Sequence, residues 1–316
     1  MCKNNISIVV PTKNRLDSFK KSINSIINQS TLPAEIIIAD AGSTDGTLDY
    51  CKNLMSKLKN IDIKIVHEVK RYNNWKNGIE SAKSNIVVIL CDDDILHNKY
   101  IERINSSGFE KSNSVLYSSR LIVVDYSSKK VSTNLQNLSV SGALSVNDSI
   151  FHIMNNWFPG FPTIAIKKEF FDFSTNGLSV FYESDYICDL FLAIEGIQIG
   201  GIYLDNYIGG TFYFHDTSQS KTDGLNLYWP YWMKKIPRVE NEKLRLYLYK
   251  RLENRLFRHS LFLNSKDQYS KKISQLVVEH IPDKNWQRVK FLDYIFRYSA
   301  AKKVIKYIFL NLKKLK

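Results

Sequence analysis

An apolar run that ends in three aspartates, IVVILCDDDIL at residues 86–96, constrains the fold of this chain more than any other stretch. A strand that is apolar on both faces belongs inside a sheet covered by helices. Asp92, Asp93 and Asp94 follow this strand and repel one another unless a cation or solvent takes up their charge. The run therefore indicates either a metal site at a strand end or a structural turn of carboxylates in which Asp92 or Asp93 caps the next helix.

Segments typical of strands and helices alternate through the first 96 residues, which predicts a right-handed, mostly parallel α/β sheet. Residues 97–225 are less regular, and their second predicted helix, 182–195, is closed by Gly196. The first part has predicted strands at 6–11, 35–40, 61–68 and 86–90 and predicted helices at 16–29, 48–58 and 75–83; the second has predicted strands at 114–126 and 197–215 and a further helix at 146–157.

Polar residues follow three of the predicted strands. TKNR (12–15), Asp40 and the aspartates 92–94 each come directly after a strand. The carboxyl ends of parallel strands lie on one edge of a sheet, where ligands bind at the switch point. We therefore expect residues about 80 positions apart to share one cleft, which favours the metal site over the helix-capping turn.

Composition narrows the class of protein. The chain is 44% hydrophobic, which is enough for a sizeable core. The four cysteines lie far apart without a CxxC pair, so a reducing compartment is expected rather than a disulfide framework or a zinc site. No signal-peptide core and no run of about 18 uncharged apolar residues is present in the sequence. These features predict a cytoplasmic protein.

Four motifs resemble those of the inverting family 2 glycosyltransferases with the GT-A fold. VVPTKNR resembles the family's opening strand and turn, and ADAGSTDGT its D-D-x-S-x-D-x-T segment, with Ala41 in place of the second Asp. NGIESAKSNIVVILCDDDIL resembles the stretch that ends in the metal-binding D-x-D, and SDYICDLFLAIEG the helix opened by E-D-Y, with Ser184 in place of the Glu. FYFHDTSQSK adds the terminal aromatic-x-x-His pattern. The resemblance covers about residues 5–220 and is closest to bacterial capsule, O-antigen and lipooligosaccharide transferases.

The resemblance implies a GT-A catalytic domain at 1–225, with a nucleotide-binding half at 1–96 and an acceptor half at 97–225. A sugar would pass from a nucleotide-linked donor, UDP-linked by resemblance, to a hydroxyl of a growing, lipid-linked surface glycan. Mg²⁺ or Mn²⁺ would receive the diphosphate, since carboxylates suit hard cations. A sugar-phosphate nucleotidyltransferase fits less well because its glycine-rich entry loop is missing. A non-catalytic glycan- or membrane-binding protein with a decayed transferase domain is the alternative from another class.

The resemblance also assigns roles to individual residues. Asp185 is the predicted general base, and Glu183 would orient it or take its place. Which aspartate holds the metal stays open: aligning the motif selects Asp93, whereas an extended chain would place Asp92 and Asp94 on one side. The predicted nucleotide-sugar contacts are Pro11, Thr12, Asn14, Arg15, Asp40, Lys76, Asp92 and Asp93, and the predicted metal shell is Asp92, Asp93, Asp94 and His215.

Several of these residues also have ordinary structural interpretations. Asp40 is equally a turn-forming aspartate, and Asp185 a carboxylate in the first turn of a helix. For Lys76 and His215, the sequence supports a role in the site and an ordinary structural role equally. Three aromatic residues could stack on the acceptor or pack in the core: Trp157, Phe158 and Phe161.

The positive charge of the chain lies at its end. Residues 234–316 contain 22 Lys+Arg and 7 Asp+Glu, a net charge of +15, whereas the preceding residues are close to neutral. We predict that 226–316 form a basic amphipathic helical region that binds the inner, anionic face of the membrane. Core helices with solvated faces and a homo-oligomer interface are the alternatives. Nucleic acid is not expected, since no nucleic-acid-binding motif accompanies the charge.

Overall fold

The computed structural model describes residues 4–67, 71–126, 128–133, 140–154, 160–173, 189–215, 236 and 239–248. The chain divides into two compact units, Met1–Tyr231 and Trp232–Lys316. The predicted boundary between 225 and 226 lies outside the described residues and stays a prediction.

The second unit is described over one short stretch. Residues 242–248 are helical, and Leu244 and Leu248 are buried. The guanidinium of Arg245 donates a hydrogen bond to the carbonyl of Val239 at 2.8 Å. The remainder of the predicted basic region, residues 226–235, 237, 238 and 249–316, lies outside the described residues. Among the residues described, no helix is long and apolar enough to span a bilayer.

The first half folds as the alternating pattern predicts. Strands β1 to β4 are parallel in the order β3-β2-β1-β4, and Val9 in β1 pairs with both Ile37 and Ile89. β1 and β4 are buried over their whole length, because helices cover both faces of the sheet. The elements are β1 Ile6–Thr12, α1 Leu16–Ile27, β2 Glu35–Asp40, α2 Thr47–Lys57, β3 Asp62–His67, α3 Arg71–Glu80 and β4 Ile86–Ile89. β1 continues one residue beyond Pro11, the predicted strand end.

The second half completes one sheet, with the strand order β3-β2-β1-β4-β9-β6-β10-β5. β9 is antiparallel to β4 and β6, and β10 runs parallel to β6. The prediction of an α/β fold with a central sheet flanked by helices is confirmed. The sheet is mixed rather than mostly parallel, because β5, β7, β8 and β9 pair antiparallel with their neighbours. The elements are β5 Ile95–Leu96, α4 Tyr100–Ser107, a 3₁₀ turn at Phe109–Lys111, β6 Leu116–Asp125, β7 Lys130–Thr133, β8 Gly142–Ala143, α5 Val146–Met154, β9 Ile164–Lys167, α6 Glu169–Phe173, α7 Asp189–Gly200 and β10 Ile202–Phe214.

The predicted end of the last helix is wrong. α7 continues through Gly196 to Gly200, so residues 197–200 are helical rather than extended. Gly196 faces β6, where a Cβ atom would overlap the side chain of Leu116, so this glycine permits close packing rather than ending the helix. Gly201, with a φ of +71°, is the glycine that ends it. The predicted strands at 197–215 are therefore one strand, β10.

A buried carboxylate connects β10 to β6 and α4. Asp205 is 1% exposed and accepts two hydrogen bonds from Arg103, at 2.7 and 3.0 Å. The hydroxyl of Tyr117 donates to the same carboxylate at 2.6 Å. Burial raises the pKa of Asp205, but the hydrogen bonds from Arg103 and Tyr117 outweigh it and lower the pKa overall.

The Asp205→Asn variant should be less stable than the wild type by about 2 kcal/mol at neutral pH, the range for hydrogen bonds to a charged group. Because folding lowers the pKa of Asp205, its stabilisation is complete above the unfolded-state value of about 3.9 and is lost as the pH falls through the folded-state value. Urea unfolding at a series of pH values from neutral to acid should therefore show that the free energy of unfolding falls more steeply in the wild type than in Asp205→Asn. Asp49→Asn, which removes an exposed carboxylate of α2, is the control. Equal pH profiles for Asp205→Asn and the wild type would contradict this account.

Candidate active site

The carboxyl ends of β1 and β4 meet through direct hydrogen bonds. The hydroxyl of Thr12 donates to Asp92 at 2.9 Å. Arg15, in the loop after β1, forms ion pairs with Asp92 at 3.3 Å and with Asp93 at 2.6 Å. The structure thus brings together residues about 80 positions apart, because parallel strands end at one edge of the sheet.

The three aspartates lie in a tight turn and not in an extended segment. The amide of Asp94 donates to the carbonyl of Cys91 at 3.1 Å. The alternation argument, which would place Asp92 and Asp94 on one side, is therefore wrong for this stretch. Instead Cys91 Sγ and carboxylate oxygens of Asp93 and Asp94 lie within 4.8 Å of one another. We call residues 91–94 the acidic turn.

Asp92 is not part of that group, and its carboxylate contacts Thr12 at the end of β1. Burial raises the pKa of Asp92 to about 6; the charge of Arg15 and the hydrogen bond from Thr12 oppose this effect, and the charge of Asp93 adds to it. Arg15 is itself half-buried, yet the two carboxylates raise its pKa overall. Asp92 therefore positions Arg15 and the loop after β1 against the acidic turn.

The end of β10 also contacts the acidic turn. His215 Nε2 lies 2.9 Å from Asp93 Oδ2. The backbone amide of Tyr213 donates to Asp94 Oδ1 at 3.0 Å. The ring of Tyr213 stacks on that of Tyr126 with 5.6 Å between centroids. His215, predicted to complete the metal shell, is thus placed against Asp93.

Asn14 and Asp45 hold the loops that follow β1 and β2. Asn14 adopts a φ of +51°, and its side-chain oxygen accepts the amide of Thr44 at 2.7 Å. Asp45 accepts the first backbone amides of two helices, Leu16 in α1 at 2.9 Å and Thr47 in α2 at 3.2 Å. Sequence reasoning missed this double cap, although an Asp two residues before Thr47 is a recognisable start signal for α2.

Asp40 is fully buried, and its carboxylate is used by the turn that it opens. It accepts the amides of Gly42 at 2.9 Å and Ser43 at 3.0 Å, and His67 Nδ1 lies 3.2 Å away. The turn-forming interpretation of Asp40 is therefore present in the structure, and its contact with a nucleotide stays a prediction.

Lys76 and Phe161 have structural partners. Lys76 lies 3.5 Å from Glu80 on the next turn of α3. Phe161 is buried and packs on Trp75 with 6.0 Å between ring centroids, which gives it the core role. Four further predicted residues lie outside the described residues: Trp157, Phe158, Glu183 and Asp185.

The donor set of the acidic turn fits a divalent cation. Two carboxylates converge there, with a thiol beside them and an imidazole 2.9 Å from one carboxylate. Oxygen ligands suit Mg²⁺ and Mn²⁺, and imidazole or thiolate suits the later first-row ions. Family 2 glycosyltransferases generally use a divalent metal.

Residues 7–133 match the family described as Glycosyl transferase family 2. A β-1,3-glucosyltransferase of Campylobacter jejuni, named for the acceptor GalNAc(5)-diNAcBac-PP-undecaprenol, is 36% identical over 93 residues, which are 29% of this chain and 30% of that protein. The chain thus matches about a third of the length of the first curated relatives. The poly(ribitol-phosphate) β-N-acetylglucosaminyltransferase TarP of Staphylococcus aureus is 24% identical over 86% of each chain.

Solved structures agree on the fold. The crystal structure of S. aureus TarS 1-349 in complex with UDP-GlcNAc superimposes with a TM-score of 0.66 at 14% identity, over 96% of this chain and 89% of that one. The resemblance in sequence to glycosyltransferase family 2 is thus confirmed over residues 7–133, and the solved structures confirm the fold.

Proposed function

We propose that this family 2 glycosyltransferase moves a sugar from a UDP-linked donor to a hydroxyl of a growing surface glycan, with inversion at the anomeric carbon and with a divalent cation. The observation that carries the proposal is the convergence of the carboxylates of Asp93 and Asp94 at the acidic turn, where Arg15 and His215 both contact Oδ2 of Asp93. Two converging carboxylates at the carboxyl edge of a parallel sheet are suited to a cation that binds a diphosphate.

In this proposal Asp93 and Asp94 hold the cation. The bound ion would act as a Lewis acid that stabilises the charge of the departing nucleoside diphosphate. Arg15 and His215 keep the carboxylate of Asp93 in place by contacts of 2.6 and 2.9 Å. Because one of these contacts comes from the loop after β1 and the other from the end of β10, the position of Asp93 depends on both halves of the domain.

The acceptor hydroxyl needs a base, since it is a poor nucleophile. We assign this role to Asp185, with Glu183 orienting it. Thr12, at the end of β1, contacts the acidic turn and would bind the donor nucleotide together with Pro11 of the same strand and Asn14 of the loop that follows. Asp40 and Lys76 are proposed nucleotide contacts that would have to exchange their present partners.

A lipid-linked glycan is the proposed acceptor. The Campylobacter relative is named for an undecaprenol-diphosphate substrate, and TarP for poly(ribitol-phosphate). Both names describe acceptors that contain phosphate. The net charge of +15 over residues 234–316 would bring the enzyme to an anionic membrane that holds such an acceptor.

Vesicle sedimentation at moderate salt tests this membrane docking. A chain without residues 266–316 should no longer pellet with anionic vesicles, and equal pelleting of the two chains would contradict membrane docking.

A donor screen tests the proposed function as a whole. UDP-, GDP- and dTDP-sugars are added with Mn²⁺, Mg²⁺ or chelator, and thermal unfolding and slow donor hydrolysis are measured. A ligand that binds only the native state raises the melting temperature. We expect stabilisation and hydrolysis with UDP-sugars and a divalent cation. The absence of any response to every donor, with and without metal, would favour a non-catalytic binding protein.

A further inference from the structure

We infer that Cys91 is the third protein ligand of the cation at the acidic turn, so that the site prefers thiophilic ions such as Zn²⁺, Co²⁺ and Cd²⁺ over Mg²⁺. The inference rests on the proposed metal dependence and adds a ligand to it. Cys91 Sγ lies with carboxylate oxygens of Asp93 and Asp94 in a group spanning at most 4.8 Å. Neighbouring ligand atoms of a tetrahedral zinc ion are about 3.7 Å apart, given metal–sulfur and metal–oxygen bonds of about 2.3 and 2.2 Å. Small side-chain rotations would therefore close this group on an ion.

The backbone of the turn sets this arrangement. The hydrogen bond from the amide of Asp94 to the carbonyl of Cys91 places the first and last residues of the turn side by side. Ser22 on α1 donates its hydroxyl to the carbonyl of Asp94 at 2.5 Å and lies 3.3 Å from that of Cys91. The thiol is thus presented by a backbone that is anchored at both ends of the turn.

Asp92 is not part of the group that Cys91, Asp93 and Asp94 form. Its carboxylate is buried and accepts hydrogen bonds from Thr12 at 2.9 Å and from Arg15 at 3.3 Å. Since Cys91 stands where the motif of the family begins with Asp, the change replaces a hard oxygen donor by a soft sulfur donor, which shifts selectivity away from Mg²⁺.

Access distinguishes this cysteine from the one in the core. Cys91 is partly exposed, so that an ion can reach it, whereas Cys51 is fully buried in α2. Burial raises the pKa of the Cys51 thiol to about 12, which disfavours the thiolate form that binds metal. When Cys91 binds an ion, its thiol proton passes to the buffer and the sulfur donates an electron pair to the metal.

Cadmium titration of the full-length, metal-free protein tests the inference. Thiolate–cadmium bonds absorb in the ultraviolet, so the wild type should develop a charge-transfer band that saturates at one Cd²⁺ per chain. Cys91→Ser should lack this band and bind Cd²⁺ at least about tenfold more weakly, since even outer-shell partners of a metal are worth ten- to a hundredfold. Cys91→Asp should also lack the band but bind Mg²⁺ more tightly than the wild type. The matched control Cys51→Ala should keep the band.

The outcomes separate this inference from the proposed function. A band that persists in Cys91→Ser overturns the inference, because another thiol then binds the ion. Cadmium binding without a band, measured by calorimetry, overturns it while leaving a cation site built from oxygen ligands. The absence of binding of both Cd²⁺ and Mn²⁺ overturns the cation site and the proposed metal dependence with it. Thermal unfolding of each variant shows whether the fold is retained.

Discussion

The Asp93→Asn variant should transfer sugar at least about a hundredfold more slowly than the wild type, because a cation at a leaving group supplies several kcal/mol to the transition state. Asp93 is the carboxylate on which the site converges: Arg15 contacts it at 2.6 Å and His215 at 2.9 Å. An amide keeps the shape of the side chain but removes the charge that a divalent cation requires. Mn²⁺ affinity, measured by calorimetry, should fall together with the transfer rate.

A matched control separates the site from a general effect of charge. Asp62→Asn removes an exposed carboxylate at the start of β3, at the opposite edge of the sheet, where its partner is Lys83 at 2.9 Å. It should leave both Mn²⁺ affinity and transfer unchanged. If Asp93→Asn, still folded by thermal unfolding, binds Mn²⁺ and transfers sugar as the wild type does, Asp93 is not the metal ligand.

The Asp185→Asn variant should bind the donor as tightly as the wild type yet lose about a hundred- to ten-thousandfold in transfer rate, the range for a general base. The amide cannot accept the proton of the acceptor hydroxyl, whereas the cation site at residues 91–94 is unchanged. Donor affinity by thermal shift and single-turnover transfer therefore respond differently, which distinguishes a lost base from a lost binding site.

Glu183 supplies the comparison for this second prediction. If Glu183 only orients Asp185, Glu183→Gln should reduce transfer by less than Asp185→Asn. Unchanged turnover in Asp185→Asn, together with lost turnover in Glu183→Gln, would move the base to Glu183. A loss of donor binding in Asp185→Asn would instead make that residue part of the donor site.

Periodicity and strand order predicted the architecture, because they are local properties of the chain. The apolar runs at 35–40 and 86–90 are typical of strands buried on both faces, and such strands require covering helices. The meeting of Thr12 with Asp92 then follows from parallel topology alone. The position of β9, antiparallel between β4 and β6, has no comparable local signal, because it depends on pairings between residues about 50 to 80 positions apart.

Some glycine and aspartate positions show which features of the fold local sequence patterns do not predict. Gly196 has the spacing of a helix end, but the packing of α7 on β6 uses it inside the helix, and Gly201 ends the helix. Asp45 caps α1 and α2 together, a role that needs the loop after β1 to lie beside the loop after β2. Both depend on which backbones approach each other in space.

Some features of the acidic turn could likewise be predicted from the sequence, whereas others are set only by the tertiary structure. The sequence alone determined that three carboxylates follow a buried strand and share an edge with Thr12 and Arg15, because the direction of parallel strands dictates this. The tertiary structure decided which of the three converge: Asp93 and Asp94 lie with Cys91, Asp92 accepts the hydroxyl of Thr12, and Arg15 contacts both Asp92 and Asp93. The reason is that the turn closes between Asp94 and Cys91 and is held by Ser22 and the end of β10, contacts that no local pattern specifies.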